Sequence, residues 1–485
     1  MKTISEIQQG YKDKEFSCTE IVEESFATID VHDDTLHAFL SLHQDTALEH
    51  AKNVDEKISK GHPLHPMEGI PGAIKDNILI QGTITTAGSK ILENYKASYS
   101  ATVMKKLAEH GAIIIGKTNL DEFAMGSSTE NSAYGPSKNP WDTARVPGGS
   151  SGGSAVAVAS GEAVFALGTD TGGSIRQPAG LCGVVGLKPT YGQVSRYGAI
   201  AMASSLDQIG SFARTVQDAT IVYDAIRGSD TYDSTTAHAG PVIEPTKLSH
   251  DVKGLRIGIP KEFFIDGLDP RVEKAIREAS QTLKSAGATI VEVSLPHAPY
   301  ALAVYYIIMP AEVCANISRY DGIRYGYRDT SAKDLWNTYL SSRETGLGAE
   351  VRRRIMLGTY VLSSGYADQY YNQAQLVRSM IRKDYSQAFQ DVDCMIAPTS
   401  PTPAFKFGEK TDDPLSMYLA DIFTVSANIA GIPAVSLPCG FAQEDGQQLP
   451  IGMQIFGKHF DEQTILSVGY AYQTLTDWHT RHPDI

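Results

Sequence analysis

Apolar residues recur at helical spacing near the start of the chain. Over residues 17 to about 34, apolar and acidic positions alternate with this period, and Ser17 stands three residues before Glu20, as in a helix capping box. The pattern predicts a surface helix here. We expect residues 1–60 to form a helical portion packed on the rest of the protein.

Beyond Gly61 the pattern changes to short β-branched runs separated by helical segments. The runs lie at residues 73–74, 78–80 and 112–115, and a helix is predicted from Thr102 to His110. Alternating strands and helices indicate a mostly parallel or mixed sheet with helices on both faces.

The second half of the chain returns to strands after a long helical region. Residues 228–250 are polar and predict an exposed excursion, and Asp269 with Pro270 marks a helix start. Residues 300–390 are mainly helical, and strands are predicted at 255–259, 289–293, 394–397, 434–437 and 451–456. Strands near both ends favour one large sheet, so we expect an α/β fold with residues 1–485 as a single domain.

Composition and charge narrow the class of protein. The chain has 485 residues, 42% of them hydrophobic and 20% charged, which is ordinary globular usage and excludes a disordered chain. Its formal charge of −14 has the wrong sign for a surface that grips nucleic-acid phosphates. Any nucleic acid in its biology is therefore expected to be held by another protein.

Cysteine spacing and apolar run length indicate whether the chain binds zinc, forms disulfides or enters a membrane. The five cysteines are scattered without a CxxC pair or a clustered His, so neither a zinc site nor a disulfide framework can be inferred. The first residues contain no apolar core of a signal peptide, and nowhere do 18 apolar residues run uninterrupted. We expect a cytoplasmic protein with no export signal and no membrane span.

A long loop rich in Gly and Ser is the first candidate for chemistry. Residues 116–153 are almost devoid of apolar periodicity, and long loops in compact domains are often functional. The run 148–153 leads into a small-residue helix and fits the glycine spacing of a phosphate loop, but Ser154 stands where that motif needs Lys. A nucleotide-binding module and a purely structural glycine turn both stay open as alternatives.

A second glycine turn places a serine after a strand. Gly172 and Gly173 immediately precede Ser174 behind the strand-like run 163–167. Glycines beside a serine let backbone N–H groups converge on a developing oxyanion, as in the nucleophile turns of hydrolases. The alternative is an ordinary strand-to-helix turn with a capping serine.

Lys75 lies in an apolar segment and offers a base for such a serine. Desolvation can lower the pKa of a lysine by several units from about 10.4, which makes the neutral amine a workable proton acceptor. The alternative is an edge charge paired with Asp76. No His occurs between His110 and His238, so a Ser/Lys mechanism fits the residues at hand, although a distant His could still fold onto the serines.

Lys75 and the two glycine runs, 148–153 and 168–176, together resemble the amidase-signature family. The intervals match as well, with 75 residues from Lys75 to Ser150 and 24 from Ser150 to Ser174. The resemblance implies an amidase-signature fold, a large mixed β-sheet enclosed by α-helices. It also implies that Ser174 is the acyl nucleophile, that Ser150 is a bridging serine entered through a cis peptide, and that Lys75 is the base.

The same resemblance assigns backbone groups to the reaction. Thr171, Gly172 and Gly173 would supply the N–H groups of the oxyanion hole. No metal is implied on this chain.

Five further segments resemble the tRNA-dependent glutamine amidotransferases within that family, namely residues 121–131, 186–192, 204–210, 321–326 and 418–424. The resemblance implies a glutamine-hydrolysing subunit that supplies ammonia for conversion of Glu-tRNA(Gln) to Gln-tRNA(Gln). It implies partner subunits B and C, with tRNA held mainly by the partner, and ATP and Mg²⁺ on the partner rather than on this chain. The alternative within the enzyme class is a free-standing amide hydrolase.

Glutamine recognition can be assigned by the same motifs. Free glutamine is a zwitterion, so a selective site needs a cation for its carboxylate and an anion for its ammonium. In the family's pattern these are Arg354 and Asp421, with Tyr305 close by. Arg354 belongs to a run of three arginines, and a solvated helix face is the alternative for it.

Overall fold

The β-strands form one sheet in the computed structural model, which describes residues 2–237 and 243–485. Eleven strands are found in this described part of the chain. They are β1 Phe39–Leu42, β2 Pro71–Lys75, β3 Ile113–Thr118, β4 Phe165–Asp170, β5 Val185–Lys188, β6 Gln208–Ala213, β7 Arg256–Pro260, β8 Thr289–Val293, β9 Cys394–Pro398, β10 Ala434–Glu444 and β11 Gln447–Gly457.

Helices enclose this sheet. Within residues 2–237 and 243–485 there are fifteen α-helices: α1 Ile4–Asp13, α2 Cys18–Leu36, α3 Gln44–Ser59, α4 Thr102–Glu109, α5 Gly152–Ala159, α6 Arg176–Cys182, α7 Val216–Ile226, α8 Pro270–Ser285, α9 Ala301–Ile317, α10 Leu335–Gly346, α11 Ala349–Leu362, α12 Gln373–Asp391, α13 Pro414–Tyr418, α14 Val425–Ala430 and α15 Glu462–Leu475. The predicted α/β class is confirmed.

The sheet is mixed, and its strand order is β1-β3-β2-β4-β6-β5-β10-β11-β9-β7-β8. Parallel pairs join β2 to β3 and β4, and join β7 to β8 and β9, whereas the central strands pair antiparallel. The carboxyl ends of parallel strands meet at one edge of a sheet, where open α/β folds place their sites. Thr118, Lys75 and Asp170 are the last residues of β3, β2 and β4 and so meet at this edge.

The N-terminal helices pack on the sheet through local capping and buried apolar faces. The predicted capping box is present, because the Ser17 hydroxyl accepts from the Glu20 N–H and the Glu20 carboxylate accepts from the Ser17 N–H. The Tyr11 hydroxyl donates to the Gly69 carbonyl at 2.9 Å, just before β2. The predicted helix at residues 17–34 is thus confirmed, while the division into a single domain stays a prediction.

Two sequence-based expectations need correction or restriction. Residues 78–80 do not form a strand, because the chain turns after β2: the Ile78 N–H donates to the Lys75 carbonyl, and Ile78 makes only an isolated bridge to Ala199. Of the predicted excursion at 228–250, residues 238–242 lie outside the described residues. Much of the remainder is exposed, although Asp233 and Leu248 are buried.

One helix combines length with apolar composition. The stretch Ala298–Ile317, which contains α9, is apolar enough to cross a membrane by those two criteria, and half of it is buried inside the protein. It packs against α11, α12 and α14. In this structure it serves as a core helix of the region 300–390.

Candidate active site

Lys75 ends strand β2 and is completely buried. Its Nζ donates to the hydroxyls of Ser150 at 2.8 Å, Ser151 at 2.8 Å and Thr169 at 2.9 Å. The alternative pairing of Lys75 with Asp76 is wrong, because Asp76 instead binds the Nζ of Lys117 at 2.7 Å. Among the described residues, the hydrogen-bond partners of the Lys75 Nζ are therefore all hydroxyl groups.

Burial lowers the pKa of the Lys75 ammonium to about 7, against the opposing attraction of the Asp121, Asp170 and Asp207 carboxylates. The nearest polar atoms are neutral oxygens, which solvate the ammonium less well than water does. At neutral pH a substantial fraction of Lys75 is then the free amine, the form that can accept a proton.

Ser150 is placed by the loop that precedes α5. The peptide bond between Gly149 and Ser150 is cis, as the family resemblance implied. The Gly149 N–H donates to the Gln177 side-chain oxygen at 2.9 Å, and the Asp121 N–H donates to the Ser150 carbonyl at 3.3 Å. These contacts hold Ser150 against the end of β2, fully buried beside Lys75.

Ser174 lies in the turn between β4 and α6. It is 8% exposed, whereas Lys75 and Ser150 are completely buried, so it is the member of the predicted trio that a substrate can reach. The Ser151 N–H donates to the Ser174 carbonyl at 3.3 Å, which brings the two serine turns together. Within residues 2–237 and 243–485 the Ser174 hydroxyl has no hydrogen-bond partner, so the structure forms the Lys75–Ser150 link but not a Ser150–Ser174 one.

The predicted oxyanion hole is only partly open in the structure. The Gly173 N–H donates to Asp170 Oδ1 at 2.9 Å and is therefore already used. The N–H groups of Thr171, Gly172 and Ser174 have no partner among the described residues. Ser174 thus offers an additional backbone donor that sequence reasoning did not include, and Gly173 is not a free one.

Asp170 and Arg176 form the rigid base of this turn. The carboxylate accepts from Arg176 Nε at 3.0 Å and from the Asn428 amide at 2.8 Å, besides the Gly173 N–H. Burial alone would raise the pKa of Asp170, but the Arg176 guanidinium lowers it below its usual value. Both residues were visible in the run 168–176, but nothing in the local pattern indicated their pairing across the turn.

Arg354 is buried on α11 and does not belong to a solvated helix face. Its Nε donates to Glu350 Oε1 at 2.8 Å, and its guanidinium lies 5.5 Å from the Tyr306 ring centre and 5.6 Å from that of Tyr418. The two rings stack at 3.9 Å. A carboxylate and two aromatic faces thus hold the guanidinium in place.

Asp421 lies near Arg354 and is also buried. The Ser127 hydroxyl donates to Asp421 Oδ2 at 2.5 Å. Burial raises the pKa of Asp421 to about 7, although the Ser127 hydrogen bond and the Arg354 charge both oppose this rise. A cation placed beside this buried carboxyl group would favour its ionised form.

Tyr305 and Thr424 pack against the turn that carries Ser174, on the side where Arg354 and Asp421 lie. The Tyr305 ring lies against Gly172, where an added Cβ would come within 2.7 Å of it. The Thr424 hydroxyl donates to the Gly172 carbonyl at 2.6 Å, three residues beyond Asp421. The nine predicted site residues are therefore gathered around one end of the sheet.

Four residues that contact the predicted site residues were not identified from the sequence. Ser127 and Glu350 each contact one half of the charged pair, and Ser151 and Thr169 each contact Lys75. Ser127, Ser151 and Thr169 lie inside the motifs identified above, which was the available signal. In the part of the chain that the structure describes, no group of three His, Cys, Asp or Glu side chains is arranged to hold a metal ion.

A buried lysine with a lowered pKa, hydrogen-bonded to one serine and close to a second serine beside unpartnered backbone N–H groups, is an arrangement typical of acyl-transfer hydrolases. The family profile described as Amidase matches residues 20–466. The chain belongs to the amidase family. Its mixed sheet enclosed by helices is the amidase-signature fold.

Within this family, the chain is similar over its full length to proteins of one name. The chain is 55% identical to the A subunit of glutamyl-tRNA(Gln) amidotransferase from Carboxydothermus hydrogenoformans, over 99% of this chain and 98% of that protein. It is 54% identical to the protein of the same name in Heliobacterium modesticaldum, over 100% and 99% of the two chains.

Solved structures of amidase-family proteins superimpose on nearly the whole chain. The crystal structure of the glutamyl-tRNA(Gln) amidotransferase A subunit from Thermotoga maritima superimposes with a TM-score of 0.79 at 41% identity, covering 97% of this chain and 94% of that one. Peptide amidase from Stenotrophomonas maltophilia gives a TM-score of 0.81 at 29% identity, covering 100% and 98%.

The pKa values of Lys75 and Asp421 predict different pH profiles for two classes of substrate. With Lys75 as the proposed base, which accepts a proton only when neutral, kcat/KM for an uncharged small amide should fall about tenfold per pH unit below about pH 7 and level off above it. With the ionised Asp421 carboxylate as the proposed partner of the glutamine ammonium, kcat/KM for glutamine should fall by up to about a hundredfold per pH unit over the same range. Parallel titrations of both substrates check this, and identical slopes would contradict it.

Proposed function

We propose that this chain is the glutaminase subunit of a glutamyl-tRNA(Gln) amidotransferase. It would hydrolyse glutamine and supply the ammonia that converts Glu-tRNA(Gln) to Gln-tRNA(Gln). Full-length identity above 50% to proteins of that name supports the assignment.

The observation that carries the proposal is the buried pair Arg354 and Asp421 beside the Ser174 turn. A guanidinium and a carboxyl group near one another match the carboxylate and ammonium of free glutamine. Simple amides have no charges for this pair to bind. A free-standing amide hydrolase would therefore have little use for it.

The first chemical step is attack on the side-chain amide of glutamine. The Ser174 Oγ attacks the carboxamide carbon, while its proton passes through the Ser150 hydroxyl to the neutral Lys75 amine. The negative charge that develops on the carbonyl oxygen is stabilised by the open N–H groups of the Thr171–Ser174 turn. The C–N bond then breaks, and ammonia leaves with a proton returned along the same path.

The second step clears the enzyme. A water molecule gives a proton to Lys75 through Ser150 and attacks the carbonyl carbon of the glutamyl ester. The bond between that carbon and the Ser174 Oγ then breaks, the proton returns from Lys75 through Ser150 to the Ser174 Oγ, and glutamate is released. The ammonia would pass to the B subunit, which activates tRNA-bound glutamate with ATP and Mg²⁺. We propose no cofactor or metal on this chain.

Removing either charge of the pocket should change substrate selection. Arg354→Ala or Asp421→Asn should each lose a charge-assisted hydrogen bond worth roughly 1.5–3 kcal/mol, or about ten- to a hundredfold in kcat/KM for glutamine. Hydrolysis of an uncharged amide should stay near the wild-type rate. Steady-state kinetics on both substrates checks this, and equal losses on both would assign the two residues to the fold instead.

The proposed function is tested by reconstitution with the B and C subunits of the same organism. The assay is conversion of Glu-tRNA(Gln) to Gln-tRNA(Gln) with glutamine as the nitrogen donor. Activity should require all subunits and ATP, and the isolated chain should show low glutaminase activity. Full turnover that partners do not affect would favour the free-standing hydrolase.

The charge of the chain supports a cytoplasmic complex in which this chain hydrolyses glutamine and a partner subunit binds the tRNA. At −14 the chain has little with which to displace the counterions of tRNA, so we propose that the partner holds the nucleic acid. Filter binding of tRNA to the isolated chain at several salt concentrations tests this. Tight binding by the chain alone would contradict it.

A further inference from the structure

The outer face of α11 and the turns after it expose several apolar and aromatic side chains to solvent. Met356 is 67% exposed and Tyr360 is 49% exposed. Tyr360 lies 4.6 Å from Tyr366, ring centre to ring centre, and Tyr366 lies 6.0 Å from Tyr370. We call this surface the tyrosine face, and it consists of Met356, Leu357, Tyr360, Leu362, Tyr366 and Tyr370.

The surrounding region has the composition of a protein interface. Five of the seven exposed tyrosines among the described residues lie in residues 300–390, and six of the eight exposed basic residues of this range are Arg. Interfaces are enriched in Tyr, Met and Arg and depleted in Lys, whereas nucleic-acid surfaces are strongly basic and more polar. With exposed Met and Leu at its centre, the tyrosine face fits a protein partner better than tRNA.

Charge also distinguishes this region from the rest of the protein. Residues 300–390 carry eleven Lys and Arg against eight Asp and Glu, a formal charge of +3 in a chain of −14. Arg352 and Arg353 are exposed beside Met356. In a two-fold symmetric dimer a second copy would meet the face with the same basic region, so a partner with an acidic rim around an apolar patch is the better match.

The opposite side of the same helix holds the glutamine pocket. Arg354 is buried on α11, and Gly358 brings α11 so close to α9 that an added Cβ would lie 1.8 Å from the Pro310 carbonyl oxygen. Helix α9 carries Tyr305, which lies against Gly172 of the nucleophile turn. A partner that fixes the outer face of α11 therefore fixes Arg354 and Tyr305 as well.

We propose that the tyrosine face is the docking surface for the ammonia-accepting subunit, and that docking positions Arg354 for glutamine. This inference rests on the proposed function. It explains in structural terms how a glutaminase can depend on its partner, because the helix that contacts the partner also binds the substrate carboxylate.

The test compares matched surface substitutions in the full chain. Met356→Glu and Tyr366→Glu are placed on the tyrosine face, and Val31→Glu is the control on α2, where Val31 is 70% exposed. Affinity for the co-expressed B and C subunits is measured by sedimentation. We expect each face variant to weaken assembly by about tenfold or more and the control by less than about twofold. Hydrolysis of an uncharged amide by the isolated variants should stay near the wild-type rate.

A cross-linking measurement keeps the test independent of variant folding. A photoreactive amino acid at position 356 should cross-link to a partner subunit, and one at position 31 should not. Assembly should also lower KM for glutamine in the wild type, and a saturating excess of partner should restore this effect in Met356→Glu.

Several results would overturn the inference. Wild-type affinity in both face variants would remove the docking surface while leaving the proposed function intact. Loss of tRNA binding by the isolated face variants would identify a nucleic-acid surface, and loss of self-association would identify a second copy as the occupant. Failure of the wild type to assemble with its B and C partners would overturn the proposed function itself.

Discussion

Ser174→Ala is expected to lower glutaminase activity by roughly 10⁴-fold or more, because it removes the hydroxyl that we propose as the acyl nucleophile. The fold should survive, since the Ser174 hydroxyl makes no hydrogen bond to any residue that the structure describes. Ammonia release from glutamine and the thermal unfolding midpoint together check both parts of this prediction.

Ser160→Ala is the matched control for that variant. Ser160 is a buried serine whose hydroxyl donates to the Val156 carbonyl at 2.9 Å at the end of α5. It should retain most of the activity. Glutamine turnover by Ser174→Ala at a tenth of the wild-type rate or more would exclude Ser174 as the nucleophile.

Lys75→Arg is expected to be nearly as damaging as Lys75→Ala, with a loss of about 10²- to 10⁴-fold in kcat for both. A guanidinium keeps the positive charge but does not deprotonate in the working pH range. The lowered pKa of Lys75 makes the neutral amine accessible near pH 7, and its three hydroxyl partners carry no negative charge that would hold it protonated. Steady-state kinetics on an uncharged amide measures the effect without involving the glutamine pocket.

The control for this prediction is Lys117→Arg. Lys117 is equally buried on the adjacent strand, and its Nζ pairs with Asp76, so its role needs only a charge. We expect Lys117→Arg to lose far less activity than Lys75→Arg. Similar losses in both variants would indicate that Lys75 has only a structural role.

The fold class and the positions of the serines and Lys75 could be predicted from local sequence. Strand and helix periodicity is set by neighbouring residues, and the glycine runs mark their turns directly. The run at 78–80 misled the prediction, because β-branched residues there line a turn fixed by the Lys75 carbonyl and by a distant residue, Ala199.

The hydrogen bonds that complete the site could not be predicted from local sequence patterns. Ser127 and Asp421 are 294 residues apart, and nothing in either segment indicates that the hydroxyl binds the carboxylate. The use of the Gly173 N–H by Asp170 depends on the path of a turn, with Gly173 at a φ of 141°. These details determine which donors and charges are available to a substrate, and only the folded chain defines them.

The most direct test of the account is to trap the acyl-enzyme and locate it. The reconstituted enzyme is treated with an electrophilic glutamine analogue, digested and mapped by peptide mass spectrometry, with Ser174→Ala treated in parallel. The account predicts one adduct, on Ser174, which is absent from the variant and suppressed by excess glutamine. An adduct on Ser150 or on any of the five cysteines would contradict it.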